Sequence, residues 1–210
     1  KAVNGNTITF WEPIIHAVDA SWGWTLHSFP HYEEVGIEDL TFRGKAKDQF
    51  VHHQSWKDDG AYKPVAMTRL TNSWMRYVDF DSISEGCSVI SSANCSVYDI
   101  RFTGNRGHAS VRSQGSSRIF LGAFCEQSSG RVAASGYSGW AVGSTQTNTG
   151  QYHAVGISKP SMGAVLWRNR IGDDSTFEAH ATQPRATLVD CCKGGFMHYR
   201  FGGDTNQLPN

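Results

Sequence analysis

The sequence lacks an excess of charge of either sign: 19 Lys and Arg balance 19 Asp and Glu over 210 residues. The broad basic field of a nucleic-acid or anionic-membrane binder is therefore missing, and no nucleic-acid partner is expected. Charge is scarce altogether, at 18% against the ~25% usual for a globular domain. No apolar run approaches the ~18 residues that would cross a bilayer, so no membrane span is expected. The chain opens at Lys1 rather than Met, without a charged start leading into a hydrophobic signal core. It is therefore read as a processed product or a piece of something longer. The five cysteines (Cys87, Cys95, Cys125, Cys191, Cys192) form no Cys-x-x-Cys pair, and the adjacent two have poor geometry for a mutual bridge. They read as small buried hydrophobes.

Several chemical signatures are absent as well. There is no phosphate-cradling Gly-x-x-x-x-Gly-Lys-Ser, no Gly-x-Gly-x-x-Gly after a strand, and no Gly-x-Ser-x-Gly. Nucleotide chemistry and an α/β-hydrolase mechanism are not expected. Zinc spacing is missing too, and the adjacent His52-His53 reads as a solvated pair. No metal or other cofactor is expected. Lys57-Asp58-Asp59 and Gly172-Asp173-Asp174 could offer oxygens to calcium, but a turn explains each equally well.

What the chain has is glycine, 22 residues of it, and 12% aromatics arranged with a period. Met75-Arg76-Tyr77-Val78-Asp79-Phe80 recurs as Val97-Tyr98-Asp99-Ile100-Arg101-Phe102 and as Ile119-Phe120-Leu121-Gly122-Ala123-Phe124, a step of 22 residues each time. Phe80, Phe102 and Phe124 share a column, which continues at Val142, Ala164 and Ala186. A second strand follows about eleven residues along each rung, aligning Val89 with Val111 and His108 with Arg131 and His153. The runs are short, alternate with period two and are separated by Gly, Ser and Asn. A 22-residue strand-turn-strand unit cannot bury its apolar face alone, whereas stacking units ~4.8 Å apart encloses one core. The expected fold is all-β: a right-handed parallel β-helix over residues 1–210, a single domain and a segment of a longer solenoid. The segment Val35–Gly44 repeats the pattern 38 residues before Phe80, so residues 45–63 are expected to project as an inserted loop, the kind of place where function collects. Residues 1–34 show no clear register and are expected to be earlier rungs carrying insertions.

Outward residues at i and i+2 share a face, and the next rung's equivalents lie beside them. Glu178 and His180 are therefore expected next to His198 and Arg200, placing a carboxylate, two imidazoles and a guanidinium together. These four are the candidate catalytic residues. His108, Arg112, His153, Lys159 and Arg185, with Trp56 and Trp167 as flat platforms, are the candidate substrate-binding residues. An outward face of a solenoid is polar in any case, but solvated faces favour Lys, Glu, Ser and Thr, and this one favours His and Arg. Alternation is ambiguous in the later rungs, and a one-residue slip would reverse the face.

The rung pattern, the Gly104-Asn105-Arg106-Gly107-His108 turn and the Phe177-Glu178-Ala179-His180-Ala181-Thr182-Gln183-Pro184-Arg185 segment resemble the pectate-lyase-like superfamily of β-helix proteins. More narrowly they resemble an uncharacterised bacterial β-helix family encoded among polysaccharide-degrading systems, over roughly residues 35–210. The resemblance implies a secreted or periplasmic protein, a monomer, acting on polysaccharides that often carry uronates. Polygalacturonase-type hydrolases of this superfamily carry Asn-Thr-Asp, Asp-Asp, Gly-His-Gly and Arg-Ile-Lys in order. Here only Asp58-Asp59 and Gly107-His108-Ala109 match in order, so that mechanism does not transfer. The leading expectation is a lyase that cleaves an anionic polysaccharide by β-elimination. Arg112, Arg185 or Arg200 would pair with the sugar carboxylate, His180, His198 or Lys159 would take the proton beside it, and Glu178 would orient a histidine. The alternatives are a glycoside hydrolase using Glu178 with Asp173 or Asp174, and a noncatalytic carbohydrate-binding or adhesive β-helix.

Overall fold

The computed structural model describes residues 2–134, 150–172, 175–180 and 184–194. The chain divides into two compact units, Lys1–Pro30 and His31–Asn210. The first holds an antiparallel hairpin of β1 (Ala2–Asn4) and β2 (Thr7–Thr9) and a 3-10 turn at Ala20–Trp22. Antiparallel pairing is not what an early rung would show. Gly5, at φ 57°, supplies the left-handed residue that a two-residue hairpin connection needs.

The second unit begins with β3 (Tyr32–Glu33), β4 (Gly36–Arg43), β5 (Gln49–His52), the single turn of helix α1 (Trp56–Asp59), β6 (Val65–Thr68), β7 (Leu70–Thr71), β8 (Trp74–Asp81) and β9 (Glu85–Ile90). It continues with β10 (Ser96–Thr103), β11 (Ala109–Gln114), β12 (Phe120–Glu126), β13 (Arg131–Ala134), β14 (His153–Ser158), β15 (Val165–Trp167), β16 (Thr176–His180) and β17 (Leu188–Asp190). Among the described residues every pairing in this unit is parallel. One long sheet has the order β17-β15-β12-β10-β8-β4 and the other β16-β14-β11-β9-β6. From β8 to β12 the chain passes alternately from one sheet to the other, and each visit adds one strand beside the last.

The inward residues explain the pattern. Met75, Val78 and Phe80 on β8 and Val97, Ile100 and Phe102 on β10 are all buried in one cluster with Cys87, Val89, Val111, Val155 and Ile157 from the facing strands. Their spacing is i, i+3, i+5 rather than strict alternation. Tyr77, Asp99 and Ala123 sit at φ 54°, 52° and 55°, left-handed residues in mid-strand that shift the alternation by one and bend the strand. At a turn between the sheets, buried serines stack in a ladder. Ser92 N–H donates to Ser116 Oγ at 3.1 Å and Ser116 N–H to Ser161 Oγ at 3.2 Å, so each of these turns satisfies the next.

The registers differ from a uniform 22-residue step. The step is 22 from β8 to β10, with Phe80 opposite Phe102, but 24 from β10 to β12, where Ile100 faces Phe124 and Phe102 faces Glu126. On the second sheet Val111 faces Cys87 rather than Val89. A shift of two residues leaves every side chain on its own face, so hydrophobic pattern alone does not detect it. The next step is longer: Ala109 faces His153 across 44 residues, and Phe120 faces Val165 across 45. Arg131 therefore does not stand between His108 and His153. It begins β13, which pairs with β5 inside the 45–63 insertion. That insertion folds on its own terms, with Phe50 and Asp58 buried. Asp58 is held by Lys47 Nζ at 3.1 Å and Ser55 Oγ at 2.6 Å. Among the described residues no helix is long and apolar enough to cross a membrane.

Candidate functional site

The second sheet carries an outward column in which Ser88 faces Arg112, Arg112 faces Gly156, and Gly156 faces Glu178. The missing side chain at Gly156 matters. A Cβ there would lie 3.1 Å from Arg112 Cγ, so the glycine gives the arginine room to lie across the sheet. Arg112 Nη2 reaches to 3.8 Å from Glu178 Oε2, two strands away. The other Glu178 oxygen lies 3.5 Å from Nδ1 of His153, a ring almost fully buried at the start of β14.

His108 sits just before β11, delivered by the Gly107 turn. Its own N–H donates to the Ser84 carbonyl at 2.6 Å. Arg112 Nη2 lies 3.1 Å from His108 Nε2. A guanidinium only donates, so this nitrogen accepts, and the ring proton belongs on Nδ1, which faces the Asp59 carbonyl at 3.2 Å. The Asp59 carboxylate is 4.0 Å from the same Nδ1 and accepts from His53 Nδ1 at 3.0 Å. The His108 ring is packed against Phe50, His53 and His153. These side chains border a cleft of about 540 Å³ lined by Trp56, Asp59, Gly60, Glu85, His108 and Arg112. Glu85 accepts from Lys63 Nζ at 3.1 Å and from the Ser88 hydroxyl. One wall of the cleft is thus the second sheet, and the other is the insertion.

The structure brings together four of the expected residues, His108, Arg112, His153 and Glu178, and places Trp56, 71% exposed, at the cleft's rim. It separates others. Trp167 lies on β15 of the other sheet, where its ring packs against Phe120 and under Arg168, because the strand that carries it belongs to the opposite face. Lys159 is exposed at a left-handed turn after β14, and Arg185 is exposed beside Met162 at a turn leading to β17. His180 is exposed at the end of β16, opposite Ser158. His198 and Arg200 lie outside the described residues, as do Val142, Asp173 and Asp174.

Asp59, His53, Lys63 and Glu85 complete the cleft and were not singled out for it by periodicity. Three of them come from the insertion or its edge, which has no rung equivalent, although the adjacent Asp58-Asp59 pair was a visible signal. The opposite sheet bears its own polar group. There Arg76 and Trp74 donate to Glu38 and hold its carboxyl below the usual carboxylate range. Cys87 is buried in the core, and burial pushes its thiol up to about 12. It is no nucleophile.

A family described as a domain of unknown function (DUF4955) matches residues 150–210, the span that holds His153, Gly156 and Glu178. No curated protein and no solved structure gives a significant match to the chain.

Proposed function

We propose that the two long sheets are faces of a right-handed parallel β-helix, with rungs of 22 to 24 residues interrupted by excursions, and that the cleft beside the second sheet cleaves an anionic polysaccharide by β-elimination. The helix reading is supported by the alternation of the chain between two all-parallel sheets and by the strong preference of parallel crossovers for the right hand. The protein would work outside the cytoplasm, as a monomer with a polysaccharide substrate.

The observation that carries the chemistry is the 3.1 Å contact between Arg112 and His108 Nε2. A uronate carboxylate that takes the Arg112 fork draws it off the imidazole, frees Nε2 as an acceptor and comes to rest beside it. The proton to be removed is on the carbon bearing that carboxylate. Nε2 takes this proton, the glycosidic C–O bond on the neighbouring carbon breaks, a C=C bond forms between the two carbons, and the imidazolium returns the proton to the departing oxygen. Arg112 stabilises the charge that develops on the carboxylate, and Asp59 stabilises the imidazolium. Glu178, joined to both Arg112 and His153, is a positioning residue. Trp56 offers a flat apolar face to a sugar ring.

The hydrolase reading is favoured by one observation: the carboxylates of Asp59 and Glu85 line the same cleft. Incubation with a panel of acidic and neutral polysaccharides separates the readings. Ultraviolet absorbance of an unsaturated uronate supports elimination. Reducing ends without it mean hydrolysis, and retention without cleavage means a noncatalytic binder. Either of the last two overturns the proposal.

A further inference from the structure

We propose that His53, Asp59 and His108 form a binding site for a divalent transition-metal ion of the zinc class. One ligand atom from each lies within 4.8 Å of the others, with His53 Nδ1 at 3.0 Å and His108 Nδ1 at 4.0 Å from the two Asp59 oxygens. Ligands held about 2.0–2.2 Å from a tetrahedral zinc are roughly 3.3 Å apart. Small side-chain adjustments would close this set around an ion. Two imidazoles and one carboxylate suit zinc, cobalt or nickel, whereas calcium asks for a cage of oxygens that these three residues do not provide.

Three further observations point the same way. The His53 N–H donates to Asp59 Oδ1 at 3.1 Å. Backbone and ring of one residue thus converge on one carboxylate. Asp59 and His108 both line the 540 Å³ cleft, which leaves an open fourth position on its side. Among the described residues around the cleft, three carboxylates (Asp59, Glu85, Glu178) accompany two cations (Arg112, Lys63), a balance that favours an added positive charge.

The site has a consequence for the ring it uses. An ion on His108 Nδ1 displaces the proton from that nitrogen, so the neutral imidazole carries it on Nε2 instead. Nε2 can then neither accept from Arg112 nor take a proton from a substrate, and Arg112 turns toward Glu178, 3.8 Å away. An occupied site switches off the base. This consequence rests on the elimination reading; binding of the ion does not.

The test dialyses the chelator-treated full chain against zinc chloride and measures bound metal, with cobalt(II) as a coloured probe. About one zinc per chain is expected. The affinity should fall by more than the 10–100-fold typical of losing a mere supporting partner in His53→Gln, whose side chain is half exposed and outside the core, and in Asp59→Asn. His180→Gln should bind as the parent does. Circular dichroism checks that each variant is folded. Absence of bound zinc, or equal binding in the parent and both ligand variants, overturns the site. Where a lyase activity is measured, zinc should suppress it in the parent but not in His53→Gln. Zinc bound by these three residues without suppression leaves the site standing and removes His108 as the base.

Discussion

Truncation of Phe102 to alanine tests the stacked core at its centre. Phe102 has no exposed surface and lies between two rings, 5.2 Å from Phe80 at an interplanar angle of 19° and 6.2 Å from Phe124 at 70°. A buried Phe→Ala costs about 3–5 kcal/mol, and each aromatic pair carries about 0.5–1.5 kcal/mol beyond burial. With two partners lost, Phe102→Ala should fall at the top of that range, about 5 kcal/mol. Phe42 ends the same column, half-buried, with one ring partner in Phe80 at 5.6 Å. Phe42→Ala should therefore cost about 2 kcal/mol, an incomplete burial and a single pair. In urea, with a slope of about 3 kcal/mol/M, the midpoints should drop by roughly 1.7 M and 0.7 M. Equal costs for the two variants, or less than about 1.5 kcal/mol for Phe102→Ala, would refute the reading of β4, β8, β10 and β12 as one stack over a shared interior.

Gly107→Ala should destabilise by about 1–3 kcal/mol, read as a melting-temperature loss of several degrees, because its new Cβ would meet the Ile83 carbonyl and the Ser84 backbone, which cannot move aside; an unchanged melting temperature refutes it. In a lyase assay Arg112→Lys should lower kcat/KM at least 10-fold, since an ammonium cannot make the bidentate fork, and Glu178→Gln should lower it less. By contrast His180→Ala should leave it within about twofold, so a larger loss there than in Arg112→Lys would relocate the site. The buried Cys87 thiol, raised from an ordinary 9.0 to about 12 by desolvation, stays protonated in the folded chain. It ionises above about pH 9 once unfolded, so its contribution to stability is whole below that pH and is lost as pH rises toward 12, at about 1.4 kcal/mol per unit. The stability gap between the parent and Cys87→Ala should accordingly shift by about 1.4 kcal/mol between pH 8 and pH 10 in urea melts, and a constant gap refutes the burial argument.

The parallel stacking was legible because Phe42, Phe80 and Phe102 recur at offsets that their strands keep, and pleated strands convert such recurrence into contact. The 24-residue step at Phe124 was not, because Ile100 and Phe102 are both inward and either could stand opposite it. Arg112 and Glu178 were recognisable as outward residues on one face, and they do meet, though across the empty place left by Gly156 rather than as direct neighbours. Trp167 was misplaced for a related reason: alternation says which way a side chain points from its own strand, and nothing about which of two sheets that strand joins. The pairing of β5 with β13 joins segments about eighty residues apart that each break the period, and a period is silent about the places where it fails.

Those failures are where the cleft is. A face built of regular rungs is nearly flat, since successive strands repeat at ~4.8 Å with side chains of similar reach. A concave site next to such a face needs a wall, and the wall must come from residues the repeat does not account for. Here the second excursion supplies β13, β13 gives β5 a parallel partner, and β5 leads into the helical turn that presents Trp56, Asp59 and Gly60 to the cleft. Asp58, buried against Lys47 and Ser55, fixes that turn from behind. The parallel strands therefore supply His108, Arg112, His153 and Glu178 at positions set by strand register, while the insertion supplies the groups that close the cleft. A change that unpaired β5 from β13 should leave the core column of phenylalanines intact and still disturb the cleft, because that pairing helps to hold Asp59 and His53 beside His108.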